Sequence, residues 1–263
     1  MDIALCAIGR MENDYVRDFI NHYVSLGVKK FFIYDNNYDG EEHFEDKIYD
    51  MIYHGLVEVI DYRNRTCCQL SAYNDCYAKH GAEYDWIAFF DFDEYLILEK
   101  HSSLEEFLSD KSDFDVVMIN WMVMTDNNLI HKDKRPLLQK FTTPMPQRNC
   151  VNGVTPENAH IKSICHGGRN LRFYGQPHVP QSNKCYNASG KKCICFARQD
   201  IDWDVAYLKH FTTKTIEEWL TRKMKVGTPD RPYEKFKKDY MNVFFNINER
   251  TPEKEEFMNN FNI

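Results

Sequence analysis

Apolar positions in roughly the first 125 residues follow two alternating periods. "IALCAI", "KFFIYD", "LVEVIDY" and "WIAFFDFD" are short apolar runs with polar ends, and they predict buried strands. Between them the spacing becomes helical. From about Asp14 to Leu26, the residues Val16, Phe19, Ile20, Tyr23 and Val24 fall on one helical face, with Asn13 or Asp14 to cap the start and Gly27 to end it. "EEHFEDKIYDMIYHG" puts Phe44, Ile48, Met51 and Ile52 on one face ahead of Gly55, and a third helix runs from about Gln69 to His80, ahead of Gly81. Strand and helix in alternation with short joints predict a mostly parallel sheet with right-handed crossovers.

"SSLEEFLSD" predicts a short helix with a capping box from Ser102 to Glu105, and "FDVVMINWMVM" a further strand. Beyond about residue 125 the periodicity weakens. Residues 126–192 are rich in Pro, Gly, Asn and Lys and read as loops and short strands. "KKCICFAR" and "AYLKHF" are short strand candidates. "TTKTIEEWLTRKMKVG" predicts a helix with Ile216, Trp219, Leu220 and Met224 on one side, a capping box between Thr215 and Glu218, and an end at Gly227. No repeat or linker interrupts the chain. The expectation is one α/β domain over 1–263, with a regular half (1–125) and an irregular half (126–263).

The 263 residues are 43% apolar and 28% charged, an ordinary globular composition. The net charge of −7 argues against nucleic acid as partner, since phosphate backbones need a basic footprint. Aromatics reach 14%; such residues build cores and also line sugar- or base-binding clefts. "MDIALCAIGRMENDY" lacks the basic start and long apolar run of a signal peptide, and no apolar segment approaches the ~20 residues of a membrane span. A cytoplasmic protein with nine reduced cysteines is therefore expected, and the sequons at Asn64 and Asn187 are read as chance matches.

In open parallel sheets, ligands bind beyond the carboxyl ends of the strands. Two groups of acids lie there: Asp35 and Asp39 in "YDNNYDG", and Asp91, Asp93 and Glu94 in "DFDE". Residues two apart in an extended segment point the same way, so Asp91 and Asp93 face one side while Phe92 turns to the core. Two hard oxygen ligands suit Mg²⁺ or Mn²⁺ better than Zn²⁺. A D-x-D alone is a weak signal. The chain has no P-loop and no G-x-G-x-x-G, so a bound phosphate would be neutralised by a metal and side chains. Cys165, His166, Cys185, Cys193 and Cys195 lack the paired C-x-x-C spacing of a zinc site.

The blocks "AIGRMENDYVRDFINHYVSLGVKKFFIYDNNYDG", "QLSAYNDCY" and "WIAFFDFDEYL", in this order and spacing, resemble glycosyltransferases of family 92 and the related family 2-like group. The resemblance continues through "KSI" (162–164), "PH" (177–178) and "HF" followed by "KTIEEW", and covers roughly residues 3–227. It implies a GT-A fold, a nucleotide-sugar donor carrying uridine diphosphate (UDP), and Mn²⁺ or Mg²⁺. On this resemblance Glu12, Asp35, Gln69, Asp91 and Lys214 bind the donor, and Met11 stands where Asn is usual. Asp91, Asp93 and His210 form the metal group, and Lys214 meets the diphosphate.

Inversion at the anomeric carbon would need a base for the acceptor hydroxyl. Glu157 and Asp126, in the irregular half, are the acidic candidates, and His178 is a third. The expected function is a metal-dependent, inverting transfer of a hexose (galactose, from the resemblance) to a glycan or lipid-linked saccharide in bacterial surface polysaccharide synthesis. Animal members of the family carry a membrane anchor. Without a span, the enzyme would meet its acceptor at the inner membrane face, where Arg222, Lys223, Lys225, Lys235, Lys237 and Lys238 could touch anionic lipid or simply be solvated. Two rival readings are a haloacid-dehalogenase-like phosphatase with Asp91 as nucleophile, and a non-catalytic glycan- or nucleotide-binding module.

Overall fold

The computed structural model describes residues 1–145, 157–193, 201–227 and 239–261. Its first half follows the predicted alternation: β1 (Ile3–Gly9), α1 (Val16–Ser25), β2 (Lys30–Asp35), α2 (Glu45–Tyr53), β3 (Val57–Asp61), α3 (Gln69–His80) and β4 (Trp86–Phe89). Then come β5 (Glu94–Leu98), α4 (Leu104–Leu108), β6 (Val116–Val123), α5 (Leu137–Lys140), β7 (Ile161–His166), β8 (Cys185–Asn187) and β9 (Ala206–His210). A helix opens as α6 (Ile216–Glu218), passes through a π-helical stretch (Trp219–Lys223) and ends as α7 (Met224–Val226). Two more follow, α8 (Asp239–Ile247) and α9 (Pro252–Asn260). No described helix is long and apolar enough to cross a membrane.

Nine strands form one sheet, ordered β3-β2-β1-β4-β7-β6-β9-β5, with β8 beside β6. The first four positions are parallel. β7 then runs antiparallel to both β4 and β6, and β5 antiparallel to β9. The second half is therefore less irregular than its composition predicts, because it supplies three of these strands.

Three strands escaped the pattern analysis: β5, β7 and the three-residue β8. β5 continues the apolar run of β4 across a four-residue turn, so the two merge in sequence. β7 carries Lys162 and Ser163, both buried, where a strand between two others is expected to be apolar. "KKCICFAR" lies mostly outside the described residues; its described start makes one bridge, from Lys192 to Tyr186. Caps also shift. Tyr15, not Asn13 or Asp14, precedes α1 and makes no side-chain cap; the Tyr15 and Val16 amides donate to the Glu12 carbonyl at 2.9 Å instead. The cap of α4 is Ser103, whose Oγ accepts from Glu106 N at 3.2 Å, one residue later than expected. The Thr215–Glu218 capping box forms as predicted.

The parallel register brings the carboxyl ends of β1, β2 and β4 to one edge of the sheet. There the chain turns sharply from β4 into β5 through Phe90–Asp93. Phe92 points into the core, as predicted, against Phe19 at 5.0 Å and Phe44 at 5.3 Å between ring centroids. Its ring also passes over Gly9, where a Cβ would come within 2.4 Å of it, so only glycine fits the end of β1. Phe92 thereby anchors the acidic turn.

Phe92→Ala should lower unfolding stability by about 3–5 kcal/mol, the usual cost of an emptied aromatic site. Urea denaturation at neutral pH measures it.

Candidate active site

The acidic turn forms the floor of a cleft of about 390 Å³ at this sheet edge. Its wall comes from the β1–α1 loop (Gly9, Arg10, Glu12), the loop after β2 (Asn36, Tyr38), and α3 (Gln69). Trp121 of β6 adds to this wall, and the second half closes the cleft with Lys162, His178, His210, and Arg222 and Lys223 of the π-helical stretch.

Asp93 and His210 meet at the floor. Pairing of β5 with β9 sets Glu94 opposite His210, and the Phe211 amide donates to the Asp93 carbonyl at 2.8 Å. This brings His210 Nε2 to 3.6 Å from Asp93 Oδ1. Both residues are buried. Burial opposes a charge on Asp93, yet His210, Lys223, Lys214 and Arg222 outweigh it and hold the carboxyl well below the usual range. Burial pushes His210 itself down to about 4. At neutral pH the ring is therefore uncharged, and the lysine and arginine charges carry the stabilisation of Asp93.

Asp91 is a hub. Its Oδ1 accepts from Gln69 Nε2 at 2.8 Å and from the Tyr73 hydroxyl at 2.9 Å, and its Oδ2 accepts from Lys162 Nζ at 2.8 Å. Glu94 lies beneath, fully buried, accepting from the Asp91 amide at 2.8 Å. Burial, with the charges of Asp91 and Asp93, pushes its carboxyl up against the pull of Lys162. Gln69, expected at the donor, lines the cleft and donates its amide N–H to Asp91.

Glu12 lines the cleft and pairs with Arg222; Lys214 Nζ is 3.6 Å from its other oxygen. Arg222 also donates to the carbonyls of Met11, at 2.6 Å, and Arg10, at 3.1 Å. It is committed to the cleft wall rather than to a lipid surface. Met11 sits at φ 58, left-handed for a non-glycine residue, with its amide donating to Asn37 Oδ1 at 2.8 Å. Lys214 is not a lining residue. Its ammonium packs 4.7 Å from the Tyr15 ring centroid behind Glu12, and burial pushes it down to about 8.

Asp35 and Asp126 stand apart from the cleft. Asp35 accepts from Asn37 N at 2.9 Å and from Arg63 Nη2 at 2.5 Å, so it pins the loop after β2. Asp126 is buried in an ion pair with Lys254 of α9 at 2.6 Å. Glu157 and His178 do line the cleft. His178 Nδ1 is 2.9 Å from the Ile161 carbonyl, and burial, aided by Lys162, pushes the imidazole down to about 4. Lys235, Lys237 and Lys238 fall outside the described residues, as does Cys195.

A divalent cation fits the Asp93–His210 pair. At 3.6 Å the two atoms are too far apart for a hydrogen bond. Two ligands each about 2.1 Å from one small cation lie about 3–4 Å apart. Among the described residues the buried Nδ1 of His210 has no hydrogen-bond partner, so no protein acceptor there fixes the tautomer that leaves Nε2 free. Among the described residues the one group of three possible ligands gathered within 4.8 Å is elsewhere, at Asp35, His43 and Glu45, where Arg63 already occupies Asp35.

Lys162, Tyr73, Arg222 and Lys223 are site residues that sequence reasoning missed or read otherwise. "KSI" carried the only signal for Lys162, and the basic run carried Arg222 and Lys223, read there as a lipid contact or a solvated face.

A mostly parallel sheet whose edge carries an acidic turn, closed by an antiparallel second half, matches the layout the resemblance implies. The chain belongs to glycosyltransferase family 92, whose profile matches residues 3–252. A family 92 protein of Ricinus communis is 28% identical over 111 residues, which is 37% of this chain and 17% of that protein. The chain thus matches under a fifth of that curated relative's length. Among solved structures, S. aureus TarS 1-349 in complex with UDP is similar at a TM-score of 0.40 and 13% identity, covering 63% of this chain and 47% of that one. The same protein with UDP-GlcNAc gives 0.37 and 16%, covering 50% and 37%.

His178 is depressed, so its contribution to stability is present above its unfolded value near 6.5 and is lost as pH falls toward 4. His178→Gln should therefore flatten the loss of stability between pH 7 and 4 by about 2 kcal/mol, read from urea midpoints across that range.

Proposed function

We propose that this chain is a metal-dependent glycosyltransferase moving a hexose, galactose in our reading, from a UDP-sugar to a glycan or lipid-linked saccharide. The observation that carries the reading is the Asp93–His210 pair at the cleft floor, spaced for a shared cation beneath the cationic wall of Arg222 and Lys223. Mn²⁺ or Mg²⁺ held there would neutralise charge developing on the leaving diphosphate. Lys223 and Arg222 add fixed positive charge on the same side. Asp91 is oriented by Gln69, Tyr73 and Lys162 to accept from a donor hydroxyl. Trp121 and Trp219 also line the cleft.

In an inverting transfer, a carboxylate must take the acceptor proton. Four acids line the cleft: Glu12, Asp91, Asp93 and Glu157. The first three are engaged by Arg222, Lys162 and His210, which makes Glu157 the base in this reading. Asp126 is held by Lys254 away from the cleft, so we do not assign it that role. A phosphatase using Asp91 as nucleophile is disfavoured by the hydrogen bonds on both of its oxygens and by the family.

A panel of UDP-sugars with Mn²⁺, scored by UDP release and melting temperature, tests the proposal. UDP-galactose should respond, and EDTA should abolish the response. Asp93→Asn should cut kcat by about a thousandfold while leaving the fold intact, because Lewis-acid stabilisation is worth several kcal/mol. Silence to every UDP-sugar would sink the reading.

A further inference from the structure

The cleft changes character along its length. The end beyond β1, β2 and β3, where the nucleotide would lie, carries Arg10, Asn36, Arg65 and Thr66. The other end lies past β4, where the sheet order runs on to β7 and β6. Glu157, His160 and His178 keep one side of that end polar, while Val123, Val243 and Ile247 line it beside Trp121. Val123 ends β6, and Val243 and Ile247 stand one turn apart on α8. Val123 and Ile247 form one cluster with Trp121 against it. Val243 extends this shelf outward and is 44% exposed. A single exposed valine is ordinary on a protein surface. Of the exposed large hydrophobic side chains among the described residues (Val24, Tyr49, Tyr53, Tyr174 and Val243), however, it alone lines the cleft.

A buried polar lock fixes α8 in place. Lys254 of α9 is fully buried and reaches Asp126, just beyond β6, at 2.6 Å, Asn128 Oδ1 at 2.9 Å and the Glu249 carbonyl at 2.9 Å. Asn248, directly after α8, accepts from Asp126 N at 2.7 Å and donates to Thr213 Oγ1 at 3.1 Å. Met241 and Phe244 pack the other side of α8 with Trp219 and Leu220. Moving α8 would leave buried polar groups unpaired, so the shelf is pre-formed. It is also tied to the candidate base: the side chain of Asn158, next to Glu157, accepts from the Val123 amide at 2.9 Å.

We propose that this shelf is the aglycone subsite of the acceptor. The acceptor sugar meets the polar side at Glu157, and a hydrocarbon chain attached to it lies over Val123, Ile247 and Val243. The acceptor is then a lipid-linked saccharide rather than a free glycan. The inference rests on the glycosyltransferase reading and deepens it by choosing between the two acceptor classes. A free glycan would need hydroxyl-bonding side chains along this wall, and three aliphatic ones offer none. Each methylene taken out of water tightens binding about threefold to fourfold, so a few of them on the shelf outweigh any single surface hydrogen bond.

Binding measured without turnover tests it. With the protein saturated in UDP and Mn²⁺, methyl, hexyl and octyl β-glucosides are titrated below their micelle concentrations by calorimetry. The sugar is common to the series, so only the chain varies. Octyl glucoside should bind at least about tenfold tighter than methyl glucoside. Val243→Asn should cut that advantage at least about threefold, and Val243→Leu should keep or raise it. Neither should weaken UDP, which a general defect would do, and an exposed position tolerates both replacements. Tyr53→Ser, at an exposed ring of α2 outside the cleft lining, controls for chains adhering elsewhere and should change nothing. Equal binding of methyl and octyl glucoside by the wild type would overturn the inference. So would an octyl advantage that survives Val243→Asn undiminished or disappears in Tyr53→Ser. A wild-type protein that binds no UDP with Mn²⁺ would instead sink the glycosyltransferase reading, whereas UDP binding without a chain-length effect sinks the shelf alone.

Discussion

Three acids carried into the edge of a hydrophobic core must meet positive charge or hydrogen-bond donors, and the rest of this structure depends on how that need is met. Asp91, Asp93 and Glu94 follow directly on a strand whose four residues are all buried. An ionised carboxylate left unpaired there would cost far more than a folded domain can spare. The hydrogen bonds come in part from α3, where Gln69 and Tyr73 donate to Asp91, but the positive charge comes from the second half of the chain. Lys162 arrives on β7, Lys214 just beyond β9, and Arg222 and Lys223 on the π-helical stretch. The two halves are thus joined by electrostatics as well as by the continuous sheet.

A second clasp works beside the first. Arg222 grips the β1–α1 loop through Glu12 and two carbonyls. Arg10 of the same loop pairs with Glu41, stacks 3.6 Å over Tyr38 and donates to the Val226 carbonyl at 3.3 Å. Buried Glu218 accepts from Tyr15 and from its own cap Thr215, and burial pushes its carboxyl up to about 7. The loop that would meet the nucleotide is therefore shaped by a helix more than 200 residues away in sequence. Such a wall is preorganised: its positive charges are already in place before any diphosphate arrives.

Much of the fold was legible because local pattern and tertiary need agree in the first half. The strands and helices from Ile3 to Phe89, the inward turn of Phe92 and the Thr215–Glu218 capping box follow from periodicity and capping chemistry. β7 was not legible because its buried Lys162 and Ser163 break the apolar rule for a strand between two others. β5 was not, because its apolar run fuses with that of β4 and no Gly or Pro marks the turn. The cap of α1 was misread because backbone amides found the Glu12 carbonyl in place of a side chain.

For the site, residue types and spacing by themselves determined that Asp91 and Asp93 lie at a strand's carboxyl end with Phe92 turned away, and that the acids there need partners. That much is local, since it follows from the period of an extended chain and the polarity of its neighbours. Only the tertiary structure decided which partners come. It gave Lys162 to Asp91 and His210 to Asp93, kept Asp35 and Asp126 for Arg63 and Lys254, and set Lys214 behind Glu12. Charges far apart in sequence meet only where strand pairing and helix docking place them, and no local period encodes that distance.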